Sequence, residues 1–339
     1  MRQDQFFHKY KNTAQSAEEL NRKWNLYLEQ KQNDELMEMA QQQYNVNNAP
    51  VGPGAGGSRQ TATPTTYYGN LIADGYGPDA LNLAVINTDG SYTPVNLVNY
   101  EFYGPTSFSA YPYDTNFMWF VSADLDAEEL VWGNIEMSTG VVTEVLRGFT
   151  GELQEGATST LWHAGEETFY LLTNNAFFNN PANSEVWALT TNGLAYKVYD
   201  VGSEIYVPIQ FFTYSTIEYP GAIWGIVSPP IGEPTMFITR LVDVEGQLDI
   251  PFNEESAPVP LTIEGTPYGP SKVIFCLGAD VNEENEIIVS LAYTPIESES
   301  SYGCIARMDL NGVCTYIQDL ETDTYFLNGL TVYPNENVQ

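Results

Sequence analysis

The chain has 339 residues, of which 43% are hydrophobic and 13% aromatic, and its formal net charge is −32. This hydrophobic content suffices for a buried core and excludes disorder throughout. Residues 1–59 hold seven basic and seven acidic side chains, so the rest of the chain, with five basic and 37 acidic ones, carries the whole negative charge. Such a surface repels phosphate groups, so we expect no direct binding to nucleic acid or to anionic membranes.

Residues 1–45 are predicted to form a helical anchoring arm. The run from Ser16 to Tyr44 is rich in Glu, Gln, Lys, Leu and Met, contains no Gly or Pro, and opens on a capping-box pattern. Its apolar positions follow one helical stripe, which needs a surface to cover it. We expect this arm to dock on a partner, to self-associate or to pack on its own body. The predicted docking residues are Phe6, Phe7, Leu20, Trp24, Tyr27, Leu28 and Leu36.

Residues 46–66 are predicted to be a linker, because Gly, Pro, Thr and Asn dominate them and no apolar periodicity is left. The β-rich body then spans residues 67–335. The start of the chain, Met1–Phe7, lacks the apolar region of a signal peptide, and no later stretch reaches the roughly 20 apolar residues of a membrane span. We therefore expect a protein that is made in a cytoplasm and has no membrane segment.

A hairpin turn recurs along the body. In each copy a polar residue precedes Gly, which supplies the positive φ of a short turn, and β-branched or aromatic residues alternate on both sides. The turn glycines are Gly90, Gly140, Gly193, Gly246 and Gly312. They are separated by 50, 53, 53 and 66 residues, and a repeat of this length indicates a propeller or a similar array.

Each repeat contains four strand-like segments, which we letter A to D outward from a propeller axis. The predicted A segments are residues 106–112, 159–164, 208–215, 272–278 and 326–333. The body begins with a B segment, residues 67–73, and ends with an A segment, so the C-terminal strand is expected to complete the first blade and close the ring. The predicted fold is all-β, a five-bladed propeller of four-stranded antiparallel blades. Residues 251–270 lengthen the fourth repeat, as an insertion or as an extra strand.

This strand order resembles the five-bladed β-propellers, a group that includes glycoside hydrolases and sugar-binding lectins of the tachylectin type. A propeller glycosidase needs a pair of carboxylates at the axis. The five predicted A segments contain no Asp or Glu, and only Asp114 and Asp280 follow such a segment closely. We therefore predict that the protein is not an enzyme and has no catalytic residue, with a propeller glycosidase kept as an alternative.

Other chemical signals are weak. His163 lies in an A segment without a partner motif, so a hydrogen-bonded core or axial histidine is favoured over a catalytic base. Cys276, Cys304 and Cys314 are expected to be buried free thiols, although Cys304 and Cys314 could face each other across the last hairpin. No cofactor or transition metal is predicted. Asp124, Asp126 and Glu128 form a weak Ca²⁺ candidate that lacks the full spacing of an EF-hand.

The order of helical arm, tether and β body resembles accessory structural proteins of tailed-phage virions. That resemblance implies a non-enzymatic virion protein that is anchored to capsid or tail by its arm, is present in many copies and has other virion proteins as partners. The alternative is a carbohydrate-binding propeller that recognises a host surface. Aromatic residues would suit sugar stacking if exposed, and would otherwise pack in the core. They are Tyr100, Phe102, Tyr103, Tyr111, Tyr113, Phe177 and Phe178.

Overall fold

The fold comes from a computed structural model of the chain. It describes residues 66–73, 81–87, 91–98, 100, 102, 106–111, 113–124, 127–150, 157–163, 167–173, 184–202, 206–228, 236–244, 247–249, 258–282, 284–298, 300–320 and 325–333. All of them belong to the second of the two units into which the chain divides, Met1–Thr61 and Ala62–Gln339. The predicted helical arm lies outside the described residues, so the arm and its boundaries stay predictions.

The described residues form a five-bladed propeller in which each blade has four antiparallel strands. In the order A to D, blade one is β23 (Tyr325–Tyr333), β1 (Thr66–Ala73), β2 (Leu81–Ile86) and β3 (Tyr92–Pro94), and blade two is β4 (Thr106–Ala110), β5 (Phe117–Asp124), β6 (Glu129–Glu136) and β7 (Val141–Arg147). Blade three is β8 (Ala157–His163), β9 (Thr168–Thr173), β10 (Ser184–Leu189) and β11 (Ala195–Gly202). Blade four is β12 (Val207–Tyr214), β13 (Ala222–Ser228), β14 (Phe237–Arg240) and β17 (Val259–Pro260), and blade five is β19 (Ser271–Val281), β20 (Ile287–Pro295), β21 (Tyr302–Met308) and β22 (Val313–Asp319).

The ring closes as the sequence predicts. Strand β23 pairs with β1 from Thr66↔Tyr333 to Ala73↔Tyr325, so the two ends of the β-rich chain share blade one. Because neighbouring strands are antiparallel, the A–B and C–D connections of every blade lie at one face, which we call the A–B face. The B–C and D–A connections lie at the opposite face, the B–C face.

Apolar packing between blades fills the ring. The described residues contain five clusters of buried apolar side chains, one at each interface between neighbouring blades. Strand β9 is buried along its whole length because it is covered by a neighbouring blade on both sides, whereas the outer strand β7 is mostly exposed. At the axis, serines link inner strands that do not pair as a sheet: Thr160 N donates to Ser107 Oγ at 2.8 Å, and Ser159 Oγ donates to Phe211 O at 3.0 Å.

The fourth repeat departs from the prediction. The strands on either side of Gly246, β15 (Val242–Val244) and β16 (Gln247–Asp249), pair antiparallel as predicted, but β16 also pairs in parallel with β11 of blade three. The prediction that the strand after Gly246 is the D strand of blade four is therefore wrong. Leu241 and Leu248 are buried in the cluster between blades three and four, and their burial explains the transfer. A turn sequence specifies a hairpin, not the sheet that the hairpin joins.

Residues 258–270, the described part of the 251–270 region, supply the missing strand. Strand β17 completes blade four through Phe237↔Pro260 and Ile238↔Val259. Strand β18 (Thr262–Glu264) then adds to the outer edge of blade five, parallel to β22. This region is therefore part of the repeat and also joins two neighbouring blades.

Two turn glycines meet the preceding blade. Gly140 has a φ of +71°, and a Cβ built on it would lie 1.9 Å from Asn96 O; Val98 N also donates to Gly140 O at 2.8 Å. Gly312 repeats the arrangement, with a φ of +74°, a Cβ position 2.5 Å from Pro260 O and a 2.8 Å hydrogen bond from Thr262 N. Glycine is needed at both positions because the turn requires a positive φ and because the backbone of the preceding blade leaves no room for a Cβ atom.

We predict that Gly140→Ala destabilises the protein more than Gly221→Ala. Gly221 has a similar φ of +66°, but a Cβ there would meet nothing within 4 Å. The cost of the left-handed backbone is thus shared by both variants, and the clash between blades should add about 1–3 kcal/mol in Gly140→Ala. Denaturant unfolding of the two variants measures the difference, and equal midpoints would show that the contact between blades is unimportant.

Candidate functional site

The sequence aromatics divide into two groups. Tyr100 and Phe102 pack in the apolar cluster between blades one and two, with ring centroids 5.3 Å apart. Tyr103, Phe177 and Phe178 lie outside the described residues. Tyr111 and Tyr113 follow the inner strand β4 at the A–B face, and the Tyr113 side chain is 64% exposed. Among the described aromatics, the exposed Tyr113, with the half-buried Tyr111 beside it, keeps the predicted suitability for sugar stacking.

Trp162, next to the last residue of β8, joins these two tyrosines from blade three. The Tyr111 and Trp162 rings are 4.9 Å apart at 75°, and those of Tyr113 and Trp162 are 5.8 Å apart at 87°. Tyr111 and Tyr113 are themselves 5.6 Å apart at 78°. We call Tyr111, Tyr113 and Trp162 the tyrosine–tryptophan cluster. Its rings meet edge to face, the arrangement that aromatic quadrupoles favour.

A buried aromatic stack supports the cluster from below. Trp162 packs on Phe169 at 4.8 Å, Phe169 on Trp132 at 5.0 Å, and Trp132 on Trp119 at 4.8 Å. Trp132 Nε1 donates to Thr190 O at 3.1 Å, which fixes that ring. Trp162 Nε1 is buried and has no hydrogen-bond partner among the described residues. The half-buried rings of Tyr111 and Trp162 therefore pack on a buried aromatic base between blades two and three, and Tyr113 is exposed above them.

Asp114 shapes the connection that carries Tyr111 and Tyr113. Its Oδ1 accepts hydrogen bonds from Asn116 N at 3.1 Å and Asn116 Nδ2 at 2.8 Å, and its backbone N donates to Tyr111 O at 3.2 Å. Its Oδ2 has no hydrogen-bond partner in the described part of the chain. The turn thus leaves one carboxylate oxygen unbonded, one residue after Tyr113 in the chain, and a turn of this kind is what an Asp two residues before an Asn favours.

Asp280 corrects the expectation that no inner strand holds an acid. Strand β19 extends to Val281, beyond the predicted end at residue 278, and includes Asp280. Its Oδ2 accepts hydrogen bonds from Thr331 Oγ1 and Val332 N at 2.8 Å each, and its Oδ1 accepts one from Val281 N at 2.8 Å. Burial raises the pKa of the Asp280 carboxyl, while these three hydrogen bonds oppose the shift.

The other candidate residues fall in ordinary surroundings. His163 ends β8, with its ring 5.4 Å from that of Tyr170. All three cysteines are free and buried, and Cys304 is opposite Asp319, so it does not face Cys314 across the hairpin. Burial raises the pKa of the Cys276 thiol to about 12.

The weak Ca²⁺ candidate does not come together. Asp124 Oδ2 binds Arg147 Nη1 at 2.9 Å, and Asp124 Oδ1 accepts a hydrogen bond from Ala127 N at 3.0 Å. Asp126 lies outside the described residues. In the described part of the chain, no three His, Cys, Asp or Glu side chains are grouped so that they could hold a metal ion. The same residues also include no helix of the length and hydrophobicity that a membrane span requires.

Comparison with known proteins gives structural likenesses only. No protein-family model and no curated protein matches the sequence. Among solved structures, a bifunctional GH43-CE protein of Bacteroides eggerthii matches with a TM-score of 0.46 at 11% identity, over 75% of this chain and 33% of that one. An endo-arabinase of Bacteroides thetaiotaomicron matches with a TM-score of 0.42 at 10% identity, over 65% of this chain and 81% of that one.

A third match is an exo-β-1,3-galactanase of Phanerochaete chrysosporium, solved with β-1,3-galactotriose. Its TM-score is 0.38 at 16% identity, over 64% of this chain and 48% of that one. This chain therefore spans about one third of the Bacteroides eggerthii protein and about half of the galactanase. At such identities the likenesses concern the fold and not the activity.

The prediction that the protein is not an enzyme is wrong. It rested on inner strands without acids, and β19 contains Asp280. The predicted partner-docking residues, from Phe6 to Leu36, all lie outside the described residues and stay a prediction.

We predict that Asp280→Ala loosens the closing strand. The change leaves the donors Thr331 Oγ1 and Val332 N without their acceptor, and such a loss costs about 2–4 kcal/mol. Hydrogen exchange should then speed up in residues 325–333 before it does in blade three. Unchanged exchange in β23 would show that Asp280 does not hold the ring closed.

The pH dependence gives a second measurement on the same carboxyl. Because its folded pKa lies above that of the unfolded chain, the folded protein binds more protons between the two values, and stability falls as pH rises through that window. Asp280→Asn has no titrating group there. The free energy of unfolding of the wild type, relative to Asp280→Asn, should therefore decrease as pH rises just above the usual carboxyl range; a constant difference contradicts the raised pKa.

Proposed function

We propose that the protein binds carbohydrate and that the tyrosine–tryptophan cluster on the A–B face is its binding site. The observation that supports this proposal is the exposed aromatic ring of Tyr113, which packs against two other rings at the A–B face of the propeller. The C–H faces of a sugar ring pack on aromatic faces, and Tyr and Trp combine an apolar body with a polar tip that can bond to hydroxyl groups.

The surroundings of the cluster suit a ligand that is rich in hydroxyl groups. The second oxygen of the Asp114 carboxylate can accept hydrogen bonds from them, and the Asn116 side chain lies in the same turn. Because the turn is fixed by its own hydrogen bonds, little conformational entropy is lost when a ligand binds. A preorganised aromatic surface with a few polar groups is the usual composition of a small-molecule site.

We predict that Tyr113→Ala weakens glycan binding at least about tenfold, since loss of a central aromatic contact costs on the order of 1.4 kcal/mol or more. Tyr196→Ala is the matched control, because Tyr196 is 55% exposed but lies on the outer strand β11. A glycan array finds the ligand, and titration calorimetry compares the variants.

Two results would contradict the proposal. A silent array with the full-length protein would argue against carbohydrate binding altogether. Equal loss of affinity in Tyr113→Ala and Tyr196→Ala would place the binding site elsewhere on the surface.

A further inference from the structure

The cations that the structure describes lie away from the tyrosine–tryptophan cluster. Residues 60–339 contain five basic side chains, and the structure describes all of them: Arg147, Lys197, Arg240, Lys272 and Arg307. Arg147 ends β7 and Lys272 is the second residue of β19, so both lie towards the B–C face. The cluster is on the other face.

The three remaining cations are engaged elsewhere. Arg240 of blade four lies over the Tyr219 ring, 3.8 Å from its centroid, and Arg307 of blade five forms an ion pair with Glu286. Lys197 binds Asp200 at 2.9 Å on β11, which is three strands from Trp162 and therefore about 14 Å away at the usual strand spacing. Among the described residues, an anionic ligand would thus find no counter-charge at the cluster.

Two carboxylates flank the cluster instead. Asp114 lies in the A–B connection of blade two, directly after Tyr113. Glu167 lies in the A–B connection of blade three, next to Thr168, which pairs with His163 beside Trp162. Glu167 is exposed and has a φ of +48°, a backbone conformation in which glycine is less strained.

From this juxtaposition we infer that the glycan carries amino groups, a conclusion that rests on the proposed carbohydrate binding and names its ligand class. A protonated amine interacts favourably with the faces of Tyr and Trp rings and with a neighbouring carboxylate. Acetylation of the amine removes that charge, and a uronic acid reverses it. Both changes weaken binding at a site where the described residues supply aromatic rings and two carboxylates but no cation.

The test compares three probes on the full-length protein by calorimetry. They are a β-1,4-linked glucosamine oligosaccharide at a pH at which its amines are protonated, its N-acetylated counterpart and an oligogalacturonate of similar length. The amino form should bind about tenfold more tightly than the acetylated form, and its advantage should shrink with added salt. The oligogalacturonate should bind least.

Variants identify the carboxylates that are responsible. Glu167→Gly removes a charge at a left-handed position, so the fold is kept, and it should lower affinity for the amino form only. Asp114→Asn should act in the same direction, since the Asn side-chain oxygen can still accept the bonds from Asn116. Glu128→Gly is the matched control, because Glu128 is exposed with a φ of +54° in the B–C connection of blade two, on the opposite face.

The outcomes separate this inference from the proposed function. If the amino and acetylated forms bind equally, or if Glu128→Gly acts as strongly as Glu167→Gly, the inference is overturned while carbohydrate binding stands. If no probe binds and the glycan array is also silent, carbohydrate binding itself fails and the inference fails with it. A gain for the amino form that Glu167→Gly and Asp114→Asn abolish supports both.

Discussion

The antiparallel pairing of β23 with β1 is the contact on which the other blades depend, because it turns an open row of sheets into a ring. An open array would leave two apolar blade faces exposed, whereas closure buries Leu71, Ile288 and Leu327 in a fifth interface like the other four. The Asp280 carboxylate adds hydrogen bonds from blade five to the same strand. Its burial is unfavourable for the charged form, and three donors offset part of that cost. An acid on an inner strand is thus explained by closure, and its location at the axis does not by itself make it a catalytic group.

Contacts between the outer edges of neighbouring blades also fix how these blades are positioned relative to each other. The hydrogen bonds from Val98 N to Gly140 O and from Thr262 N to Gly312 O are equivalent in two pairs of blades. In both, the turn glycine serves the hairpin and also admits the backbone of the preceding repeat. The turn therefore does more than connect two strands, because it also sets the position of one blade relative to the preceding one. A side chain at the glycine position would push the two blades apart.

The sequence predicts the blade number, the mixed first blade and most strand positions, because each depends on local signals: alternation of apolar residues, polar-Gly turns and their spacing. It fails where the decisive contact is distant in sequence. The hairpin around Gly246 joins blade three because Leu241 and Leu248 find an apolar interface there, and nothing within the hairpin encodes that interface. The same limit applies to Asp280, whose partners Thr331 and Val332 come from the other end of the body. Trp162 was visible in the sequence beside His163, but its proximity to Tyr113 arises only when blades two and three meet.

The candidate site lies in the connections between strands, whose sequences differ from blade to blade. Four strands recur in every blade because each blade must bury two faces, so these positions have little freedom to vary for a ligand. The A–B connections are free of that constraint, and they differ: blade two has Tyr111, Tyr113 and Asp114, while blade four has Thr216, Glu218 and Tyr219. A binding surface built there needs a rigid base, and the buried stack of Trp119, Trp132 and Phe169 supplies it directly beneath Trp162. The five described cations of the body are engaged outside the A–B connections of blades two and three, whereas Asp114 and Glu167 lie in those connections, so the proposed site combines aromatic rings with negative charge.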